Sequence, residues 1–330
     1  KVWRGERPQE GRFREFVQAD IDMVAGETLP AHFEIEVPLI MAEALDAMPI
    51  PRAVVHVNSR KVLQGACNAM GLTEVEPVLQ VIDKHDKVTP EVFSQMLADQ
   101  GLSEAQVETV WKLAGIHGTD PQVVNQVREL GLNDPLLEEG LDEVKRMLET
   151  AAARGRDNVE ADFKIARGLD YYTGMVYETF IEGGEHIGSI SSGGRYDNLV
   201  TSGKKKYPGV GMSVGLTRLI SIILAHGWVS VSRSVPTCVL VVVDSEETRN
   251  QADMVAQQLR KRGIATEVSP NAAKYGKQIK YALNRGIPYV WFVGEGQVKN
   301  LEDQSQFDAD AATFEPDPAL LRPAVVAVDA

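Results

Sequence analysis

The chain has 330 residues, of which 44% are hydrophobic and 25% are charged, and these values exclude wholesale disorder. Its length predicts about two domains. With 47 acidic and 34 basic residues, the formal net charge is −13, which argues against binding nucleic acid through bulk positive charge but allows a local basic surface. Cys67 and Cys238 lie far apart and form no CxxC motif, so neither a disulfide framework nor a zinc site is indicated.

Several common function classes have no sequence support. The chain contains no apolar run of membrane-spanning length and no signal-peptide pattern, so we expect a cytoplasmic protein without a membrane partner. It has neither a P-loop motif nor an HExxH motif, and its six histidines are scattered. We therefore predict no metal-ligating residues and no catalytic triad.

The first motif, residues 3–16, is predicted to form a hairpin, because Pro8 and Gly11 favour a turn between two extended segments. It carries four arginines, Arg4, Arg7, Arg12 and Arg14. Guanidinium groups are always charged and bind oxyanions in a bidentate manner, which suits phosphate. The alternative is a solvated charged hairpin, since three glutamates in the same stretch could neutralise the arginines. Beyond the hairpin, alternating polar residues predict a strand with Gln18 and Asp22 on one face, together with Phe16.

Residues 74–149 predict a mostly helical, acidic insertion with a local net charge of −10. An earlier apolar run at residues 39–48 also has helical character. Within the insertion, amphipathic stretches interrupted by glycines cover residues 92–97, 107–113, 123–130 and 141–148.

Three further motifs lie in a β-rich stretch that runs from Asp162 to about Val214. Residues 166–178 place Arg167 before Tyr171 and Tyr172, whose hydroxyls could orient a polar ligand; aromatic strand packing is the alternative. Residues 188–197 contain paired glycines, which allow close backbone approach to a ligand or form an ordinary hairpin turn. Residues 209–219 lack the last glycine of a GxGxxG fingerprint and predict a strand leading into a helix at 216–225, with Arg218 in its first turn.

The C-terminal part predicts a small α/β domain after a boundary at residues 230–236. Strands are predicted at 239–243, 265–268 and 289–293, and helices at 246–262 and 274–284. Residues 249–285 carry a net charge of +6, so the acidic total of the chain does not describe these two helices.

Taken together and in this order, the motifs resemble those of the histidyl-tRNA synthetases, a family of class II aminoacyl-tRNA synthetases. The resembling segments are residues 4–22 (motif 2, FRxERPQ then REFxQxDxD), 167–178 (RGLDYYTGxVxE), 192–199 (SGGRYDxL), 209–219 (motif 3) and 234–315 (anticodon-binding domain). The family's motif 1, which forms its dimer interface, is expected to precede residue 1, so we expect this chain to belong to a longer protein.

The resemblance implies roles around ATP for five residues. Arg4 would contact the α-phosphate, and Arg7 and Arg12 would hold the outer phosphates. Phe16 and Arg218 would sandwich the adenine by stacking and cation–π contact. Of these, Arg4 and Arg218 are expected to be catalytic.

For the amino acid, the resemblance implies that Gln18 and Asp22 lie beneath histidine and that Tyr171 and Tyr172 bound the imidazole pocket. Arg167 is expected to be catalytic and to approach both the α-phosphate and the histidine carboxylate. Its permanent charge would supply electrostatic stabilisation during adenylate formation.

The implied fold is of the α/β class. Its parts are an α+β catalytic core with an antiparallel sheet of class II synthetase type (residues 1–57 and 161–230), a mostly helical insertion (58–160) and an α/β anticodon-binding domain (236–330). The implied reaction is ATP-dependent activation of L-histidine and transfer to tRNA(His), with Mg²⁺ bound through the ATP phosphates and a homodimer in the full-length protein.

Three other functions remain as alternatives. The first is a catalytically inactive paralogue that binds histidine as a regulatory subunit or sensor, and the retained motif arginines and C-terminal domain argue against it. The second is a synthetase-like domain of an RNA-sensing regulator. The third, a synthetase for another amino acid, is disfavoured by the RGLDYYTG pattern.

Overall fold

The computed structural model describes residues 1–5, 13–168, 171–184 and 187–328. The chain forms two compact units, Lys1–His226 and Gly227–Ala330. Within the described residues, every helix is too short or too polar to cross a bilayer.

The first unit combines nine strands and eight helices among its described residues. The strands are β1 (Val2–Trp3), β2 (Glu15–Phe16), β3 (Ala19–Val24), β4 (Ala53–Ser59), β5 (His117–Gly118), β6 (Val159–Asp162), β7 (Met175–Ile181), β8 (Ser191–Ser202) and β9 (Lys205–Val214). The helices are α1 (Phe33–Asp46), α2 (Arg60–Ala69), α3 (Val75–Ile82), α4 (Pro90–Asp99), α5 (Glu104–Ala114), α6 (Val123–Arg128), α7 (Pro135–Ala153) and α8 (Leu216–His226).

Seven of these strands form one sheet in the order β3-β9-β8-β7-β4-β6-β5. All neighbours are antiparallel except β4 and β6, which are parallel. This confirms the predicted antiparallel sheet, to which the structure adds one parallel pair. Residues aligned across the sheet share a face. One such row is Asp20, Ser213, Ser192, Glu178, His56 and Glu160.

The two faces of the sheet differ in polarity because side chains alternate along each strand. On β4, Val55 and Val57 are fully buried, whereas His56 between them is only partly buried. On β7, which pairs with β4, Tyr177 is buried and its hydroxyl donates a hydrogen bond of 2.5 Å to the carbonyl of Glu34 in α1. The face opposite Tyr177 carries the polar row.

Between β4 and β6 the chain forms helices α2 to α7, and all four predicted helical stretches of the insertion are confirmed. Helices α2 and α3 lie within the range predicted to be mostly helical, but neither was predicted as an individual stretch. Helix α2 contains Gly65 and many polar residues, and α3 is a short helix that contains Pro77. Both features weaken the local helical signal.

Helices α2 and α7 pack backbone against backbone. A Cβ atom on Gly65 would lie 2.3 Å from the Leu137 amide nitrogen, and one on Gly140 would lie 2.6 Å from the Val62 amide nitrogen. At the start of α7, the Asp134 side chain accepts hydrogen bonds from two amides of the first turn, and Pro135 occupies the first helical position. Close glycine packing thus holds α2 against α7, and the Asp134 cap fixes the start of α7.

The predicted N-terminal hairpin is present, with β1 and β2 pairing antiparallel. Its turn, including Pro8 and Gly11, lies outside the described residues. The strand expected to continue from Phe16 to Asp22 is interrupted at Val17. The Val17 amide donates to the Thr217 hydroxyl at 2.8 Å, and the Val17 carbonyl accepts from the Thr217 amide. This junction fixes the hairpin to the beginning of α8.

In the second unit the described strands are β10 (Val229–Val231), β11 (Val239–Val241), β12 (Thr266–Val268), β13 (Tyr289–Phe292), β14 (Gln297–Asn300), β15 (Gln306–Asp308) and β16 (Val325–Ala327). The helices are α9 (Arg249–Lys261), α10 (Tyr275–Arg285) and α11 (Pro318–Leu321). A five-stranded sheet has the order β12-β11-β13-β14-β15, in which the first three strands are parallel. Strands β10 and β16 form a separate pair.

The apolar run at residues 239–243 is buried on both sides, as predicted. Val239 and Val241 belong to a core cluster with residues of α9, whereas Leu240 and Val242 belong to a second cluster with Ala282 of α10. The helix expected from Glu246 starts later, at Arg249, because residues 246–248 form a 3₁₀ turn closed by a capping box between Ser245 and Thr248. Strands β14 and β15, which were not predicted, extend the sheet antiparallel.

Candidate active site

A pocket of about 170 Å³ lies beside the polar face of the seven-stranded sheet. It brings together five of the residues predicted from sequence, namely Arg4, Phe16, Gln18, Arg167 and Arg218. Its other described lining residues are Phe13, Ser189, Ile190, Ser191, Ser192, Ser213 and Gly215. Three guanidinium groups therefore converge on a space whose described lining contains no carboxylate. Such a space favours an anion with several oxygen atoms.

Arg4 is placed by the hairpin. Its backbone amide donates to the Arg14 carbonyl at 2.9 Å, and its guanidinium carbon lies 5.2 Å from the centre of the Phe16 ring. This distance is within the range of a cation–π contact. The hairpin thus contributes one charged residue, Arg4, and two aromatic residues, Phe13 and Phe16, to the same pocket.

Arg218 lies in the first turn of α8 and is anchored there by backbone carbonyls. Its guanidinium donates to the Ser189 carbonyl at 2.8 Å and to the Ile187 carbonyl. Gly188 lies between these carbonyls with a positive φ of 76°, and a Cβ atom there would approach the Arg218 Nη2 atom to 3.1 Å. Glycine at 188 therefore permits the loop geometry that receives Arg218.

Arg167 lines both this pocket and a second, larger cleft. Its Nε atom lies 2.7 Å from Oε1 of Glu178 and 3.9 Å from Oδ1 of Asp83. The next residue, Gly168, has a φ of 68°, and a Cβ atom there would collide with the Tyr172 ring at 2.0 Å. The glycine thus allows the chain to pass Tyr172 while directing Arg167 toward the sheet.

Asp22 and Gln18 lie on β3 and just before it. The Gln18 amide donates to Asp20 at 2.7 Å, and its nitrogen lies 3.4 Å from the Ser213 hydroxyl. The Tyr196 hydroxyl donates a hydrogen bond of 2.6 Å to the Asp22 carboxylate. A Cβ atom on Gly211 would lie 2.0 Å from that carboxylate, so Asp22 rests directly on the glycine backbone of β9.

Tyr171 and Tyr172 form a contiguous pair, with ring centres 4.3 Å apart. Tyr171 is 43% exposed, whereas Tyr172 is partly buried against Gly168 and Gly194. Burial, together with the neighbouring Tyr171, raises the pKa of Tyr172 well above its usual value. Its hydroxyl therefore stays protonated at neutral pH and remains able to donate a hydrogen bond.

A partly buried network of ion pairs and hydrogen bonds holds the segment that carries these tyrosines. The Thr173 amide donates to the Arg195 carbonyl at 2.9 Å, and the Thr173 hydroxyl donates to Asp197 at 2.5 Å. Arg195 in turn pairs with Glu34 of α1 at 2.6 Å, and Glu34 is 4% exposed. Helix α1 thereby helps to fix the segment of residues 171–173 through Glu34 and Arg195.

Sequence reasoning missed Tyr196 and Glu178 as site residues. Tyr196 lies within the glycine-rich SGGRYD stretch, opposite Gly209 in the strand register, and its ring fills the space that a Cβ atom on Gly209 would need. Burial and the hydrogen bond to Asp22 raise the pKa of Tyr196. The only signal in the sequence was a tyrosine within a glycine-rich stretch, because its pairing with Gly209 depends on the strand register. The predicted phosphate ligands Arg7 and Arg12 lie outside the described residues.

The larger cleft, of about 950 Å³, continues from Arg167 and Arg218 along the same face of the sheet. His56 Nδ1 lies 2.9 Å from the Asp162 carboxylate, which also pairs with Lys164 at 2.9 Å. Burial by itself would raise the pKa of Asp162, but its contacts with His56 and Lys164 outweigh that effect and lower it. Among the described residues, no group of three or more His, Cys, Asp or Glu side chains is arranged to hold a metal ion.

Comparison with known families gives two matches. The family model for histidyl-tRNA synthetase matches residues 1–219, and the model for the anticodon binding domain matches residues 237–305.

Individual relatives agree with these matches. The chain is 49% identical to a histidine–tRNA ligase of Bifidobacterium animalis subsp. lactis, covering 96% of this chain and 72% of the relative. It is 46% identical to one of Cutibacterium acnes, with 99% and 75% covered. The crystal structure of histidyl-tRNA synthetase from Nostoc sp. PCC 7120 superposes with a TM-score of 0.79 at 32% identity, covering 94% of this chain and 74% of that one.

A similarity of fold alone extends to a protein of Bacillus halodurans C described as an ATP phosphoribosyltransferase regulatory subunit/histidyl-tRNA synthetase. That chain superposes with a TM-score of 0.65 at 19% identity, covering 86% of this chain and 70% of the other. The family-model match over most of the chain and the high identity to curated relatives decide the assignment: this chain belongs to the histidyl-tRNA synthetase family.

Proposed function

We propose that the protein activates L-histidine with ATP and transfers it to the 3′ end of tRNA(His). The observation that carries this proposal is the convergence of Arg4, Arg167 and Arg218 on one pocket, beside Phe16 and Gln18. In the first step, a carboxylate oxygen of histidine attacks the α-phosphorus of ATP. The bond from that phosphorus to pyrophosphate breaks, and pyrophosphate leaves with its electron pair.

The three arginines are proposed to serve this step as catalytic residues. Negative charge accumulates on the α-phosphate oxygens as the carboxylate attacks, and guanidinium groups that are already in place stabilise it without reorganisation. Arg4 and Arg167 would contact the α-phosphate from two sides. Arg218 and Phe16 would hold the adenine between them. The chemistry needs no protein nucleophile, because the substrate carboxylate fills that role.

The histidine subsite is proposed to lie where Asp22 meets the tyrosines. Asp22 would accept a hydrogen bond from an imidazole or amino nitrogen, and Gln18 would contact the amino acid beneath it. Tyr172, which stays protonated at neutral pH, would donate to or bound the imidazole, and Tyr171 would close the outer side. Arg167 would reach the carboxylate from the phosphate pocket, so that it contacts both reacting groups.

In the second step, a terminal ribose hydroxyl of the tRNA attacks the carbonyl carbon of the histidyl-adenylate, and AMP leaves. Residues 236–330 are proposed to be the domain that binds the anticodon, through the basic helices α9 and α10. Residues 1–57 and 161–230 would form the catalytic core around the insertion, residues 58–160.

Three further proposals rest on the family resemblance. Mg²⁺ would enter with ATP and be held chiefly by its phosphate oxygens, as is common where nucleotide phosphates supply the ligands. The full-length protein would be a homodimer, which sedimentation equilibrium would test. Its location would be the cytoplasm.

The inactive-paralogue alternative is not favoured. All three proposed catalytic arginines are retained, and the relatives with 46–49% identity are named histidine–tRNA ligases. The protein whose description includes a regulatory subunit is only 19% identical, and its likeness concerns the fold alone.

Aminoacylation of tRNA(His) by the full-length protein tests the proposal. Incubation with ATP, Mg²⁺ and labelled histidine should yield acid-precipitable histidyl-tRNA. A matched tRNA whose terminal ribose has been oxidised with periodate should accept none. Binding of histidine without label transfer to intact tRNA would instead support the inactive paralogue.

A further inference from the structure

Glu178 is a buried carboxylate that contacts Arg167, one of the residues that line the 170 Å³ pocket. It lies in the middle of β7, paired with His56 on one neighbouring strand and Ser192 on the other. Its side chain is 5% exposed, whereas that of Arg167 is 39% exposed. The buried carboxylate of Glu178 in the sheet thus contacts the long, partly exposed side chain of Arg167.

The contact is an ion pair: the Nε atom of Arg167 lies 2.7 Å from Glu178 Oε1, and this oxygen accepts no hydrogen bond from the described residues. Guanidinium carries five N–H donors in a planar fork, so it can bind one carboxylate and still present donors to a second anion. Glu178 lines the larger cleft but not the 170 Å³ pocket, whereas Arg167 lines both. Glu178 is therefore placed to act through Arg167 rather than on the substrate.

The charges around this pair only partly offset the effect of burial on Glu178. Burial raises the pKa of Glu178, and the positive charge of Arg167 acts in the opposite direction without reversing that shift. The other titratable groups near Glu178 are His56 on β4 and, from the insertion, Asp83 and Lys87. Asp83 also faces Arg167 but lies 3.9 Å from its Nε atom and is 34% exposed, so solvent weakens that interaction.

We propose that Glu178 is a positioning residue for adenylate formation, holding the guanidinium of Arg167 in the orientation that receives the α-phosphate. This inference rests on the role proposed above for Arg167. Without the Glu178 contact, the long side chain of Arg167 samples several rotamers, and only part of the population is aligned when ATP and histidine bind.

The test is rapid-quench measurement of histidyl-adenylate formation by the full-length protein. Glu178→Gln preserves the shape of the side chain and removes its charge. The first-order rate at saturating substrates should fall about 10- to 100-fold, the loss typical of misplacing a reacting group or of removing an outer-shell partner. The KM values for histidine and ATP should change less than about threefold, because positioning affects the transition state more than ground-state binding.

Two matched controls separate positioning from general charge effects. Glu182→Gln neutralises a carboxylate in the same cleft that pairs with Arg52 instead, at 3.4 Å. Asp83→Asn removes the weaker neighbour of Arg167. Both variants should keep the rate of adenylate formation within about threefold of wild type.

Glu178→Asp keeps the proposal testable if the Gln variant fails to fold. It retains the charge in the sheet but withdraws the carboxylate by about one C–C bond, ~1.5 Å. The rate should again fall with KM preserved. Wild-type rates in a folded Glu178→Asp or Glu178→Gln variant would overturn the proposal.

A double-mutant cycle distinguishes this proposal from the role of Arg167 itself. In the Arg167→Ala background, Glu178→Gln should cause almost no further loss, because its effect passes through Arg167. An equal loss in both backgrounds would refute positioning and leave the role of Arg167 intact. If Arg167→Ala alone leaves adenylate formation unchanged, it is the proposed role of Arg167 that fails.

Discussion

Tyr196→Phe removes a single hydroxyl from the proposed histidine subsite. That hydroxyl donates a 2.6 Å hydrogen bond to the Asp22 carboxylate, and Tyr196 is 6% exposed. A hydrogen bond to a charged group contributes about 1.5–3 kcal/mol. Asp22 is exposed in the described structure, which favours the lower end of that range. A loss of about 1.5 kcal/mol corresponds to roughly tenfold in affinity.

We therefore expect Tyr196→Phe to raise the KM for histidine about tenfold while changing the KM for ATP little. The assay is histidine-dependent ATP–pyrophosphate exchange with each substrate varied in turn. Tyr207→Phe is the matched control, because Tyr207 lies farther along β9 beside Lys205 and outside the pocket linings. An unchanged histidine KM, or equal increases for histidine and ATP, would show that Tyr196 does not hold Asp22 for the amino acid.

Four other outcomes are expected. Arg167→Ala should lower the rate of adenylate formation at least 100-fold, with a much smaller change in histidine affinity by calorimetry. Tyr172→Phe should reduce selectivity for histidine in exchange assays; unchanged selectivity would place the imidazole elsewhere. Gly140→Ala should reduce the free energy of unfolding in urea by about 1–3 kcal/mol through overpacking of α2 against α7. Because the pKa of Asp162 is lowered in the folded state, its contribution to stability is present above its unfolded value of about 3.8 and is lost as pH falls through the folded pKa. The difference in unfolding free energy between wild type and Asp162→Asn should therefore shrink only below about pH 4.

Periodicity and continuous apolar runs were sufficient to predict most of the fold. The run at residues 239–243 is covered by α9 on one side and α10 on the other, so burial on both faces left a clear signal. The amphipathic stretches of the insertion likewise became α4 to α7. Helix α2 was not predicted as an individual helix. Its packing depends on the close contact of Gly65 with Leu137, and no local sequence pattern reveals that tertiary contact.

The candidate site could be predicted only in part. The residue types of the arginines and tyrosines in the dense motifs suit phosphate and polar ligands, but their roles in the site followed from the family resemblance. The sequence did not supply the strand register. That register brings the Tyr196 hydroxyl to the Asp22 carboxylate and the Glu178 carboxylate to Arg167. The interruption at Val17 was equally hidden, since it depends on backbone pairing with Thr217, 200 residues away in sequence.

The net charge of −13 is distributed unevenly along the chain. The acidic excess lies largely in the insertion and the C-terminal tail, whereas residues 249–285, which include α9 and α10, carry +6. A protein that is acidic overall thus presents basic helices in the part that matches an anticodon binding domain.

The most direct test of the central claim is ATP–pyrophosphate exchange by the full-length protein, measured with each amino acid separately. The account predicts exchange with histidine, with rates for every other amino acid at least 100-fold lower. No exchange with histidine, or comparable exchange with another amino acid, would contradict the claim that this site forms histidyl-adenylate.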